Sequence, residues 1–451
     1  MRFLLLLLTA FCPDALALDL DLETTSYVSS EAEVFSTEAL LPHNGARIEA
    51  IHIHGLKRSS ERAVRWLLRV KVGDYFSAEQ WMEGIKKLYN TTALYEIHTE
   101  IHERMRGPQP TVAIDLYLKD KWTILPYASA NGGGGSESWG GGVFDSNITG
   151  YFTSAYAGIS YLDGTPAYEL GLNQEWVMDT DLMLGIVVTK AGFPVTVQNE
   201  AGNKSGELTW FRTQEQLLVG YHTGETFRLF SYAEIFQDSL RSAAPRTQGL
   251  IYEPTQYRLR PTVIFGRSNY TNYLESGHEF KIAPTSANFF AGNLAYHQLV
   301  LSYKRTMIWS GDSNFAYFLG GGIMSPSPTP YQFHLGGLDT VRGFSAYRYF
   351  GDRYLNGKVE FRPKLTSFRI PLFDIDRIVL QGCVFIDSGL ISGASGTVRG
   401  TPRSSLGLVS AGLGLRGIAE KFSDAIARLD FGHTVHPREG FDLSFGVGQA
   451  F

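Results

Sequence analysis

Cysteine is almost absent: the chain has two in 451 residues, Cys12 and Cys383. Cys12 lies in a segment expected to be removed, so Cys383 stands alone. That excludes an internal disulfide and a cysteine-based metal site in the mature chain. After residue 17 no run of about 18 apolar residues occurs, so no transmembrane helix is expected. A basic excess is missing too; the formal charge is −5, which argues against nucleic acid as a partner. No blade-length internal repeat appears, which argues against a soluble propeller. What is present in quantity is glycine, 48 residues, and aromatic side chains, with 23 Tyr and 29 Phe. Mean hydropathy is close to zero. Glycine together with tyrosine and phenylalanine suits many twisted strands with aromatic girdles.

The N-terminus reads as a secretory signal over residues 1–17. Arg2 precedes the apolar run Phe3 to Phe11, and Ala15-Leu16-Ala17 forms an A-x-A cleavage site. Phe11 occupies the place where a lipoprotein signal at Cys12 needs a small residue. An exported chain without a helical span can cross a membrane only as a closed barrel, the other structure that satisfies its backbone in lipid. Residues 18–45 carry Asp19, Asp21, Glu23, Glu31, Glu33 and Glu38 with no Lys or Arg, the pattern of a flexible acidic lead-in.

Residues 46–120 read as a small α/β unit of order β-α-α-β-β. Ile48, Ala50 and Ile51-His52-Ile53 form a strand that ends at Gly55. Ser59 is a candidate N-cap for a helix carrying Val64, Leu67 and Leu68. Gly73-Asp74 is a turn, and Ser77 caps a second helix with Trp81, Ile85 and Leu88 at helical spacing. Two alternating strands follow, Tyr95 to Ile101 and Thr111 to Lys119. Residues 121–451 change character: short alternating runs recur between Gly, Asn, Asp, Ser and Pro, as in 182–188, 257–265, 315–323, 377–387 and 441–451. About 330 residues at roughly 20 per strand and turn give about 16 strands.

The faces of these strands are unequal. In 354–362, Tyr354, Asn356, Lys358, Glu360 and Arg362 share one face, and Leu355, Gly357, Val359 and Phe361 the other. In 378–387, Val379, Gln381, Cys383, Phe385 and Asp387 oppose Ile378, Leu380, Gly382, Val384 and Ile386. Phe441, Leu443, Phe445, Val447 and Phe451 share a face of the last strand. Each reads as a lipid face set against a mixed or polar lumen face.

Two resemblances follow from specific residues. Val72-Gly73-Asp74-Tyr75-Phe76, Ile85-Lys86-Lys87-Leu88-Tyr89 and Ala93-Leu94-Tyr95-Glu96-Ile97 together resemble a POTRA domain. The resemblance implies a periplasmic module that binds extended polypeptide by adding a strand to its sheet edge. Leu335-Gly336-Gly337 followed by Val341-Arg342-Gly343-Phe344 resembles the (V/I)RG(F/Y) signature of the BamA-type superfamily of outer-membrane barrels. Phe385-Ile386-Asp387-Ser388-Gly389 matches that family's F-x-D-x-G strand, and Glu360 an acidic position of the preceding strand. The resemblance places the Arg342 loop inside the lumen and the first and last strands at a seam that opens laterally. It puts the seam between the strand near Leu125–Asn131 and the strand 441–451, beside the glycines 132–135 and 140–142; a flexible turn accounts for those glycines equally well.

An arginine inside a lumen needs an anionic partner, because an unpaired buried charge is costly. Alternation had already put Glu360 and Asp387 on the lumen face, and guanidinium geometry suits carboxylates. The expectation is a latch from Arg342 to Asp387 and Glu360, with Gly343 turning the tip and Phe344 packing near Phe385. Phe451 supplies the C-terminal aromatic that serves as a barrel-assembly signal; Gln449 departs from the apolar residue usual two positions earlier.

Other patterns carry less. Val398-Arg399-Gly400 lacks the upstream Leu-Gly-Gly and reads as an external loop. Gly412-Leu413-Gly414-Leu415-Arg416-Gly417 fits G-x-G-x-x-G but sits among strands, so nucleotide binding is not expected. His52, His54, His98 and His102 share the small sheet and read as surface histidines. No hydrolase signature is found. The expectation is therefore a non-enzymatic outer-membrane insertase or translocase without cofactor or metal. It would sit in a Gram-negative outer membrane with the small unit in the periplasm. Its partners would be unfolded outer-membrane or secreted polypeptides and outer-membrane lipid, with periplasmic chaperones or accessory proteins as further candidates. The alternative is a passive pore or structural barrel with no protein client. Room for a single POTRA-like unit leaves the client open.

Overall fold

The computed structural model describes residues 40–451, apart from 92, 107–108, 121–122, 134–135, 163, 179, 199–203, 224–226, 243–254, 272, 289–294, 311, 328–330, 338, 345–348, 371–374, 394–404, 420–425, 439 and 448–451. The signal segment, most of the acidic lead-in, residues 398–400 and the terminal Phe451 lie outside the described residues.

The small unit runs β1 (Arg47–His54), α1 (Glu61–Leu68), α2 (Ala78–Asn90), β2 (Leu94–Arg106) and β3 (Gln109–Asp120). Its sheet has the order β1-β3-β2, with β1 parallel and β2 antiparallel to β3. The apolar positions read from the sequence form its core: Val64, Leu67 and Leu68 of α1, Trp81, Ile85 and Leu88 of α2, and Val112, Ile114, Leu116 and Leu118 of β3 are all buried. Ser77 Oγ accepts from the Gln80 amide at 3.3 Å, as an N-cap does. Ser59 does not cap α1. The N-cap residue is Ser60, whose side chain makes no capping bond, while Ser59 hydrogen-bonds to the Asp120 carboxylate. That carboxylate also accepts from the amides of Lys57 (2.6 Å), Arg58 (2.8 Å) and Ser59 (3.1 Å). A competing long-range acceptor therefore drew Ser59 away from the helix. Partial burial pushes the Asp120 carboxyl up; these donors outweigh it and leave its pKa lowered.

Residues from Ile124 onward form a closed antiparallel barrel of sixteen strands among the described residues, as the alternation and length predicted. The strands run longer than their sequence patterns: 182–188 extends to Leu182–Gln198, and 377–387 to Ile375–Ser392. Fifteen of the sixteen junctions carry registers of seven or more described pairs. The sixteenth, between Phe441–Val447 and Ile124–Gly133, carries one described pair, Phe445 opposite Gly132. Outward residues such as Leu355, Val359, Val384, Ile386, Leu443 and Phe445 are exposed, and the inward Asn356, Lys358, Glu360, Arg362, Gln381 and Asp387 are buried. No helix among the described residues is long and apolar enough to cross a membrane, which says nothing about strands. An apolar outside around a charged inside defines a membrane-spanning β-barrel.

The small unit docks on the end of the barrel where Ile124 begins, here called the near end. Arg69 pairs with Asp181 through two bonds of 2.9 and 2.7 Å, and Arg58 reaches Asp145 at 2.5 Å. The Ser60 amide donates to Gly150 O (2.8 Å), and Phe152 enters the unit's own core.

Candidate functional site: an arginine clasp in the lumen

The connection between strands Ser313–Met324 and Arg353–Ile370 folds into the lumen from the far end. It carries a short hairpin, Phe333–Leu335 with Tyr349–Gly351, and at its tip the residues 341–344. Thr340 Oγ1 accepts from the Gly336 amide (2.8 Å) and donates to its carbonyl (3.0 Å), which folds the base of the tip. Gly343 takes φ +88, a left-handed conformation that a side chain would strain.

Arg342 is 1% exposed. Its Nε and Nη2 donate to Asp387 Oδ2 and Oδ1, each at 2.7 Å, and its own backbone amide donates to Oδ2 at 3.1 Å. Its Nη1 stands 2.6 Å from Glu360 Oε1 and 3.3 Å from Asp430 Oδ2. The Arg342 guanidinium lies over the Phe385 ring, with Cζ 3.5 Å from the ring centroid. Three strands thus supply three carboxylates to one loop arginine.

The cluster extends by alternating charge. Glu360 also meets Arg362 (2.6 Å) and Arg416 (3.7 Å), Asp430 meets Arg416 (2.6 Å), and Glu275 meets Lys304 (2.7 Å) and Arg362 (3.6 Å). Four cations face four carboxylates. Such a neutral, interlocked set is what allows this much charge to leave water.

The other motif residues hold the loop by shape. Val341, Phe344, Leu335 and Tyr349 share a buried cluster with Ile391 and Leu408 of the wall. Phe344 therefore packs in that cluster, and Phe385, its expected neighbour, serves Arg342 instead. A Cβ on Gly389 would stand 2.8 Å from Leu335 Cδ1 and 2.9 Å from Val341 Cγ2, so the glycine of the F-x-D-x-G strand makes room for the loop. Lys358 donates to the Asp339 carbonyl and Arg428 meets the Asp339 carboxylate at 3.3 Å. Further along the loop, Tyr331 stacks on Tyr296 (5.8 Å) and meets Trp210 edge-on (5.9 Å), on the opposite wall.

Sequence reading missed Asp430 and Arg416. The signal for Asp430 was there: Arg428, Asp430, Gly432 and Thr434 alternate with Leu429, Phe431 and Val435. Arg416 was hidden in the G-x-G-x-x-G pattern, which is the interior of strand Leu406–Ala419. A Cβ on Gly414 would meet Asp430 Oδ1 at 2.2 Å, so this glycine opens space for the Arg416–Asp430 pair.

On the small sheet, His54 Nε2 lies 2.7 Å from Asp115 Oδ1 and His102 Nε2 3.3 Å from Oδ2, and His98 is near Glu100 (3.5 Å). The hydrogen bond to His54 lowers the Asp115 pKa, helped by the charges of His52, His54 and His102. Among the described residues no group of three or more His, Cys, Asp or Glu is placed to hold a metal ion.

The sixteen-stranded barrel with a small α/β unit at one end is a fold shared with solved BamA and CdiB structures. CdiB from Escherichia coli superposes with a TM-score of 0.67 at 12% identity, over 89% of this chain and 76% of that one. BamA from Haemophilus ducreyi, in a form lacking POTRA domains 1–3, gives 0.63 at 13% identity, over 89% and 84%. CdiB from Acinetobacter baumannii gives 0.63 at 14%, over 89% and 73%. These likenesses establish the fold. No protein-family model and no curated protein matches the sequence.

Proposed function

We propose that this chain is an outer-membrane insertase or translocase for polypeptides, with the small unit working as a POTRA-like receiving module in the periplasm. The observation that carries the reading is the clasp. A loop held in the lumen by three carboxylates narrows the path a passive solute pore would keep open.

Two further features support it. Strand β2 is a sheet edge with no strand on its outer side among the described residues, so it offers backbone donors and acceptors to an extended client. The outer side of β1 is partly occupied, through Ile48 N to Asp74 O and Phe76 N to Ala46 O. The barrel seam, with its single described pair, is the weakest junction in the wall. A client would bind at β2 and leave through the seam or the lumen, driven by its own folding. Its partners would be unfolded outer-membrane or secreted polypeptides, with chaperones delivering them.

Photo-crosslinkers at His98 and Glu100 of β2 and at Phe445 of the seam test this in cells. The reading requires adducts with unfolded exported polypeptides. Bilayer conductance without any polypeptide adduct would favour a passive pore.

A further inference from the structure

We infer that the near-end rim of the barrel and helix α1 together form a binding surface for phospholipid headgroups. The surface is built from side chains that the clasp and the client edge do not use.

Its centre is a stack of three residues. The Arg62 guanidinium lies 5.0 Å over the Trp66 ring, and Trp66 meets Tyr151 at 5.5 Å. Arg62 and Trp66 are on α1, opposite the face that buries Ala63, Val64, Leu67 and Leu68. Tyr151 belongs to the first near-end turn of the barrel, so the stack joins the two parts of the chain at the rim.

The surface continues the lipid-facing wall. Val143, Leu172 and Leu184 are the exposed apolar residues towards the near ends of their strands. Just beyond them, the turn tips expose Ile148 (51%) and Met178 (65%). Two large apolar side chains at turn tips are poorly placed for water and well placed for the acyl–headgroup boundary. Tyrosine and tryptophan at the same level match the aromatic belt of membrane proteins.

Charge at the rim fits an anionic headgroup. Beside this stack, the rim carboxylates Asp145 and Asp181 are paired with Arg58 and Arg69. Arg62 is exposed and has no acidic partner among the described residues. An exposed arginine at a bilayer surface is attracted to anionic headgroups, and the ring beneath it holds the guanidinium in place. The occupant proposed is therefore a glycerophospholipid of the leaflet on the side of the small unit. Only the name of that leaflet, the periplasmic one, rests on the orientation proposed above.

The test uses the full-length protein in nanodiscs of phosphatidylethanolamine and phosphatidylglycerol, with no client. A benzophenone amino acid is placed at Arg62 and, separately, at Ile148, and as a control at His98 on the far face of the small sheet. Mass spectrometry is expected to find phospholipid adducts at 62 and 148 and at least tenfold fewer at 98. Arg62→Glu should cut the phosphatidylglycerol adduct at 148 at least fivefold while the barrel keeps its heat-modifiable gel shift. Adducts at 62 and 148 no more frequent than at 98 would overturn the inference, as would adducts formed with protein alone. Because no client is present, failure here leaves the transport reading untouched, and failure of transport leaves this surface in place.

Discussion

Arg342 and Asp387 are joined by three hydrogen bonds, because the backbone amide of Arg342 donates to the same carboxylate oxygen that its Nε reaches. The carboxylate thus fixes the main chain of the loop as well as its side chain. Asp387→Ala removes all three and leaves a buried guanidinium short of one anion. A loss of about 3–5 kcal/mol is expected for breaking such a pair. Limited proteolysis of the folded barrel should show residues 336–344 newly cleavable, with the barrel still heat-modifiable.

Arg342→Lys should fail to restore the clasp. An ammonium is a point charge and cannot reach Asp387 through two parallel bonds while also standing against Glu360 and Asp430. Loop protection in this variant is expected to resemble that of Arg342→Ala. Wild-type protection would mean that charge alone holds the loop.

Gly389→Val tests the steric half of the same arrangement. The added carbons collide with Leu335 and Val341, and overpacking of this kind costs about 1–3 kcal/mol. The loop should shift, read as greater bilayer conductance, with strand content unchanged by circular dichroism. Gly407→Ala is the matched control, since a Cβ there meets nothing within 4 Å.

Asp120 gives the small unit a pH dependence whose sign can be stated. Its folded pKa is lowered, so its contribution is full above the ordinary value of 3.8 and is lost as pH falls through the folded value. Thermal unfolding of the unit should therefore be insensitive to this group at neutral pH and weaken on strong acidification. Asp120→Asn should lower stability at pH 7 and flatten the acid limb that Asp120 contributes; an unchanged acid limb would assign it to other groups.

Much of this was legible beforehand. Period-two alternation put Lys358, Glu360, Arg362 and Asp387 on one wall, and a lumen arginine then required the two carboxylates among them. Asp430 was readable by the same rule. Arg416 was not, because a glycine-rich strand resembles a phosphate loop until its neighbours are known. The roles of Ser59 and Phe385 were also invisible, since each depends on a partner far away in sequence: Asp120 for one, Arg342 for the other. The docking arginines Arg58 and Arg69 flank helix α1 in sequence, and only the fold brings Asp145 and Asp181 to them.

The central claim is that the clasped loop belongs to polypeptide handling. The most direct measurement compares client crosslinking from Glu100 and Phe445 in cells producing equal amounts of folded wild-type and Arg342→Ala barrel. The account predicts a drop of at least tenfold at the seam position, with crosslinking at Glu100 retained. Equal yields at both positions, together with an unchanged protease-protected loop, would contradict it.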